Sequence, residues 1–261
     1  MRLKAVRLRM NDKAAEDKYR YVFNDHVYFI GYYIATQLLK EKIESGGPFE
    51  GIFIKVGEND GPDSIRDNGV WKFLDINLKF DFERYDNSDE PERCRYYIEL
   101  YKEAFDRASR IAPVPYERIM GYLDALVADD YVYTWKFSHL ILRQYGLKLY
   151  FTARLTTNDF TIHVTVFKGR DKEPVCQDRV IRTKPNSIHF GDISKKIYME
   201  EGKVFIGTRL ERNLLYLNIS DLYEGRIIVF KNVPPSDYDS DLKEHYRYFQ
   251  KVLQYDGPDS E

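Results

Sequence analysis

The stretch KLYFTARLTTNDFTIHVTVF, Lys148 to Phe167, reads as strand, turn, strand. In its second part Phe160, Ile162, Val164 and Val166 alternate with Thr161, His163 and Thr165. That is the period of a strand packed on one face and wet on the other. The TTND between the two runs is a polar turn suited to joining antiparallel strands. Tyr150, Thr152 and Arg154 on the first strand should share the wet face with His163 and Thr165. Outward from this hairpin the same texture continues. Val175–Arg182, Lys203–Gly207, Leu214–Ser220 and Arg226–Phe230 are short strand-like runs separated by turn residues. Residues 131–232 are therefore expected to be an antiparallel β subdomain, arranged as a sandwich or partial barrel.

The opening strand has a near copy. KLYFTARLTTN from Lys148 lies without a gap on KVFIGTRLERN from Lys203. Lys148 falls on Lys203, Arg154 on Arg209, Leu155 on Leu210 and Asn158 on Asn213. Phe160, Ile162 and Val164 then fall on Leu215, Leu217 and Ile219. The pattern predicts two similar hairpins. A propeller needs about four blades or more, and the β half has room for two.

The first half mixes helices and strands. Asn24 is a candidate N-cap, with Phe23 and Tyr28 spaced as a hydrophobic staple, for a helix ending near Ser45 before Gly46-Gly47-Pro48. Gly51–Gly57 reads as a strand, and so does Leu74–Phe82, whose strict alternation suggests an antiparallel sheet. Asp89 and Glu92 have capping-box spacing before a stripe of Cys94, Tyr97, Tyr101, Ala104, Ala108 and Ile111. A third helix should begin near Pro115, with Ile119, Leu123, Leu126 and Val127 on one face. The expected fold is α+β: a helix-containing mixed subdomain over 1–130 beside the β subdomain. Residues 233–261 form an acidic tail with a short helix from Asp241 to Leu253 and a loose end.

Composition excludes several classes. The chain has 261 residues, 43% hydrophobic and 31% charged, so disorder is not expected. Its 22 Tyr and 16 Phe suit half-buried faces and interfaces. The most apolar stretch, Val27 to Leu39, is too short to span a bilayer as a helix, and MRLKAVRLRM lacks a signal-peptide core. The cytoplasm is the expected compartment. Cys94 and Cys176 belong to no metal-binding or disulfide framework, and no cofactor or metal is expected. Net charge is −2, but it is uneven. Residues 51–130 hold 11 Lys and Arg against 18 Asp and Glu, whereas 131–230 hold 16 against 10.

His163-Val164-Thr165-Val166 resembles the H-x-T-x motif of the two-histidine phosphoesterases. That resemblance implies a second such motif on a neighbouring strand. His26, His139, His189 and His245 are each followed two positions later by a residue without the hydroxyl of Ser or Thr. The aligned copy carries Asn218-Ile219-Ser220, and Asn is no general acid or base. The chain has no GxSxG, Walker loop, GxGxxG or HExxH. The leading expectation is a non-catalytic protein-binding module, in its most concrete form a toxin-neutralising immunity-type protein. Its acidic dock would use Asp60, Asp63, Asp67 and Asp86. Tyr150, Arg154, His163 and Thr165 are a second candidate, an exposed face able to hold an anion. Two alternatives are an enzyme with catalytic residues scattered in sequence and a nucleic-acid binder acting through the basic β half.

Overall fold

In the computed structural model, which describes residues 1–10, 17–186, 190–211 and 213–254, the chain divides into units Met1–Tyr133 and Thr134–Glu261. The first contains β1 (Ala5–Met10), α1 (Asp17–Lys40), β2 (Gly51–Gly57), β3 (Ser64–Asp67), β4 (Lys72–Lys79), α2 (Phe82–Asn87), α3 (Glu90–Ile111) and α4 (Tyr116–Ala128). Its sheet, sheet 1, has the order β1-β2-β4-β3. β1, β2 and β4 run parallel, and β3 pairs antiparallel with β4. The alternation of β4 thus reflects one wet face, while its neighbours are of both kinds.

One face of sheet 1 supplies the core. Val6, Leu8, Ile52, Ile54, Leu74 and Ile76 are buried on it, and so are Val27 and Ile34 of α1 and Tyr97, Tyr101 and Ala104 of α3. The helix and sheet meet closely at Gly31, where an added Cβ would lie 2.4 Å from the Val6 carbonyl oxygen. The α3 stripe forms as expected, with the Asp89 carboxylate accepting from Glu92 N at 2.9 Å. Its last member, Ile111, is exposed, and so is Val127 of α4.

The boundaries of two elements of the first unit differ from the sequence reading. α1 begins before Asn24, whose Oδ1 accepts from Met10 N at 3.0 Å and ties the helix to β1. α1 stops at Lys40 because Lys42 turns left-handed, φ +57°. Ile43 N then donates to Leu38 O and Lys42 N to Leu39 O, the two bonds of a Schellman end. The strand expected to reach Phe82 ends at Lys79 because Asp81 caps α2, accepting from Arg84 N at 2.9 Å.

The second unit carries β5 (Tyr133–Leu142), which starts on the last residue of the first, then β6 (Leu147–Leu155), β7 (Phe160–Lys168) and β8 (Cys176–Thr183). These form sheet 2, in sequential order. β9 (Tyr198–Glu200), β10 (Lys203–Ile206), β11 (Leu215–Asn218) and β12 (Phe230–Lys231) form antiparallel sheet 3. α5 (Ile219–Tyr223) takes up residues expected to extend β11. α6 (Ser240–Val252) is held to sheet 3 by Gln250, whose Nε2 donates to Leu214 O at 2.6 Å and Asn232 O at 2.8 Å. The tail beyond Gln254, expected to be loose, lies outside the described residues.

The two hairpins are not superposable units. Lys148 stands opposite Phe167, whereas Lys203 stands opposite Asn218, whose aligned counterpart is His163. Leu155 is fully buried and its partner Leu210 is exposed. The likeness is one of strand composition, with a different register.

Candidate functional site

Two open sheet faces hold the chemistry-bearing side chains. On sheet 2, Tyr150 pairs with Thr165, Thr152 with His163 and Arg154 with Thr161. β8 adds Gln177 beside Thr165, Arg179 beside His163 and Arg182 beside Thr161, after a bulge between Ile162 and His163. Tyr150, Arg154, His163 and Thr165 are therefore on one face, in adjoining rows. Sequence reading had no signal for Arg179 and Arg182, because the bulge sets their phase. Burial lowers the His163 pKa, and the guanidinium charges of Arg179 and Arg154 lower it further, against weaker pull from Asp178 and Asp159. The imidazole is thus mainly neutral at pH 7. Arg182 Nε donates to Asp159 Oδ2 at 2.9 Å, and Arg154 lies 3.9 Å from the other carboxylate oxygen.

This face does not assemble two-histidine chemistry among the described residues. His139 of β5 stacks on Tyr150, centroids 6.4 Å apart, where it is two strands from His163. Asn218 lies on sheet 3, opposite Lys203, and its Nδ2 donates to Asp221 at 3.1 Å. A neutral imidazole, hydroxyls and guanidiniums on a flat strand array are equipped to hold an anion.

The four aspartates of the expected acidic dock are already engaged. Arg107 of α3 donates to both Asp63 oxygens at 2.9 Å and to Asp60 at 3.2 Å. These same carboxylates accept from Asn77 N and Lys79 N, so they pin the β2–β3 loop to β4. Asp67 accepts from Gly69 N at 2.8 Å and pairs with Lys72 at 3.0 Å. The Gly69 hydrogen bond and then Lys72 hold its pKa below the usual range. Asp86 accepts from Tyr19 Oη at 2.7 Å.

The outer face of sheet 1 is the feature that sequence reading missed. Arg7 and Arg9 of β1, Phe53 and Lys55 of β2, Phe73 and Asp75 of β4, and Arg66 of β3 all point away from the helices by strand alternation. Three guanidiniums surround Phe53: Arg7 at 5.7 Å, Arg9 at 5.8 Å and Arg66 at 5.5 Å from the ring centroid. Phe73 meets Phe53 edge-on at 4.5 Å, and Arg66 also covers Phe73 at 5.2 Å. Asp75 holds Lys55 at 2.6 Å and Arg66 at 2.8 Å. Among the described residues Arg7 and Arg9 have no carboxylate partner. At the end of the face Trp71 is 42% exposed, with Lys4 5.2 Å from its ring centroid.

No family model, curated protein or solved structure matches the chain. Among the described residues no group of His, Cys, Asp and Glu is placed to hold a metal ion, and no helix is long and apolar enough to cross a membrane.

Proposed function

We propose that the chain is a non-catalytic binding protein of the cytoplasm and that the outer face of sheet 1 receives an acidic surface of a partner protein. The observation that carries this is the ring of Arg7, Arg9 and Arg66 around Phe53, open to solvent and continued by Phe73 and Trp71. Arg, Trp and other aromatics are the side chains most enriched where binding energy concentrates. A guanidinium stacked on a ring is held in place before the partner arrives, so less freedom is lost on binding. Four cations, Arg7, Arg9, Lys55 and Arg66, stand here against Asp75, so the complementary partner is negative. A toxin-neutralising role stays within this proposal only for a toxin with an acidic docking surface. An acidic dock is the weaker reading of the same unit, because Arg107 is paired with Asp60 and Asp63, and Lys72 with Asp67, within the chain.

The test is affinity capture from the native cell with three baits: the native chain, Arg7→Glu/Arg9→Glu, and Asp60→Asn/Asp63→Asn. The expected result is one stoichiometric protein held by the native and aspartate-substituted baits and lost from the arginine-reversed one. Retention by the arginine-reversed bait overturns the proposal. So does loss of the captured species on nuclease treatment, which would make the face a nucleic-acid platform.

A further inference from the structure

We propose that the wet face of sheet 2 binds a small aromatic phosphate ester of the nucleoside monophosphate kind. Its phosphate would lie between Arg154, Thr161, His163 and Arg179, and its ring beside Tyr150 and Phe167. This site is in the second unit and is independent of the partner face on sheet 1.

The starting observation is Thr161. It is 4% exposed, and its Oγ1 has no hydrogen-bond partner among the described residues. A buried hydroxyl left unsatisfied is costly, so an occupant that brings an acceptor to it is favoured. By alternation Thr161 points to the wet face, with Arg154 opposite it on β6 and Arg182 on β8. The next row along the strands holds Thr152, His163 and Arg179. Rows two residues apart are separated by about 7 Å, so a phosphate seated between them meets donors from both. Guanidiniums, hydroxyls and an imidazole N–H are the donors that phosphate oxygens take.

Charge favours the same occupant. Asp159 engages Arg182 directly and reaches Arg154 only at 3.9 Å, whereas Arg179 has no ion pair among the described residues. Asp178, next to Arg179, accepts from the Arg179 backbone N–H at 2.7 Å. The row beyond His163 supplies the apolar half of the site. Tyr150 pairs with Thr165 there, and Phe167 lies edge-on to Tyr150 at 5.7 Å. Together with Lys148, Thr165 and Asp171 these rings line an open depression of about 470 Å³. It begins one row, about 7 Å, from His163, a distance that a nucleoside monophosphate spans between base and phosphate.

The experiment follows the His163 imidazole by NMR, with His163→Gln used for assignment. Adenosine 5′-monophosphate, inorganic phosphate and adenosine are titrated into the full chain at pH 7. The expected result is a saturable shift with the monophosphate, binding at least about tenfold weaker for inorganic phosphate, and no shift with adenosine. Arg154→Ala and Arg179→Ala should each weaken the monophosphate about tenfold. Tyr150→Ala should reduce it to the level of inorganic phosphate. All three are surface positions, so thermal melts should stay close to native. Thr161→Val should lower affinity while raising Tm, a pairing that mere loss of structure cannot produce. The proposal fails if millimolar monophosphate leaves His163 unmoved, if adenosine binds as well, or if the two arginine variants bind like the native chain.

Discussion

Asp75 shows what one residue does for the partner face. It is 3% exposed, yet it lies on the outer side of β4. Burial by itself would push its carboxyl pKa up. Hydrogen bonds from Arg66 and then Lys55 outweigh that and hold the pKa below the ordinary range. A group with a depressed folded pKa contributes stability above its unfolded value, about pH 4, and loses it as pH falls through the folded one. Asp75→Asn is therefore expected to cost about 1–3 kcal/mol at pH 7, since Lys55 and Arg66 are partly hydrated and can be resolvated in part. Below about pH 4 the gap between native and variant should narrow as pH approaches the lower folded pKa. Urea midpoints at pH 7 and pH 3 check both statements. In the sequence Asp75 was legible only as the polar member of an alternating strand. Its burial was not, because Arg66 and Lys55, which cover it, come from two other strands. Thr161 has the same history: alternation gave its face, and cross-strand neighbours decided its exposure.

At the scale of elements, features set by residues close in sequence are legible in the sequence. The Asp89 cap and the stripe of α3 involve residues close in sequence, and both are present. The limits of α1 are not legible, for the opposite reason. Asn24 has the residue type of an N-cap, but its oxygen serves Met10 N, a partner in another element. At the other end Lys42 takes a left-handed conformation that costs less for Gly. Lys42→Gly is expected to stabilise the chain by about 0.5–1 kcal/mol, and Asn24→Ala to destabilise it by about 1 kcal/mol. Thermal melts of the two variants should move in opposite directions. The β2–β3 loop is also tied from a distance, since Arg107 on α3 reaches Asp60, Asp63 and the Gly61 carbonyl. An acidic run read along the sequence looked like a dock because its counterion lies on a helix more than forty residues away.

For the whole molecule, net charge conceals the partner face. The chain carries −2 overall, and the segment 51–130 that supplies Phe53, Lys55, Arg66 and Phe73 is the acidic one. The fold separates what the sequence mixes. Strand order β1-β2-β4-β3 brings Arg7 and Arg9 alongside Phe53, while Asp60 and Asp63 are drawn back to Arg107. None of this is legible in MRLKAVRLRM by itself, because its arginines acquire a face only when β1 pairs with β2. The far field of a nearly neutral chain steers an acidic partner weakly, so the attraction acts within about a Debye length, roughly 10 Å at 0.1 M salt. Salt should therefore act mainly on dissociation once the surfaces have met. Raising ionic strength from about 0.05 to about 0.5 M is expected to weaken the native complex roughly tenfold, with most of the change in the off-rate. Arg7→Glu/Arg9→Glu should abolish binding at both salts. Asp60→Asn/Asp63→Asn should leave the salt slope unchanged, because those carboxylates are turned toward Arg107 and lie outside the partner face. A slope that instead flattens in the aspartate variant, measured by surface plasmon resonance on the captured partner, would return the dock to the acidic loop.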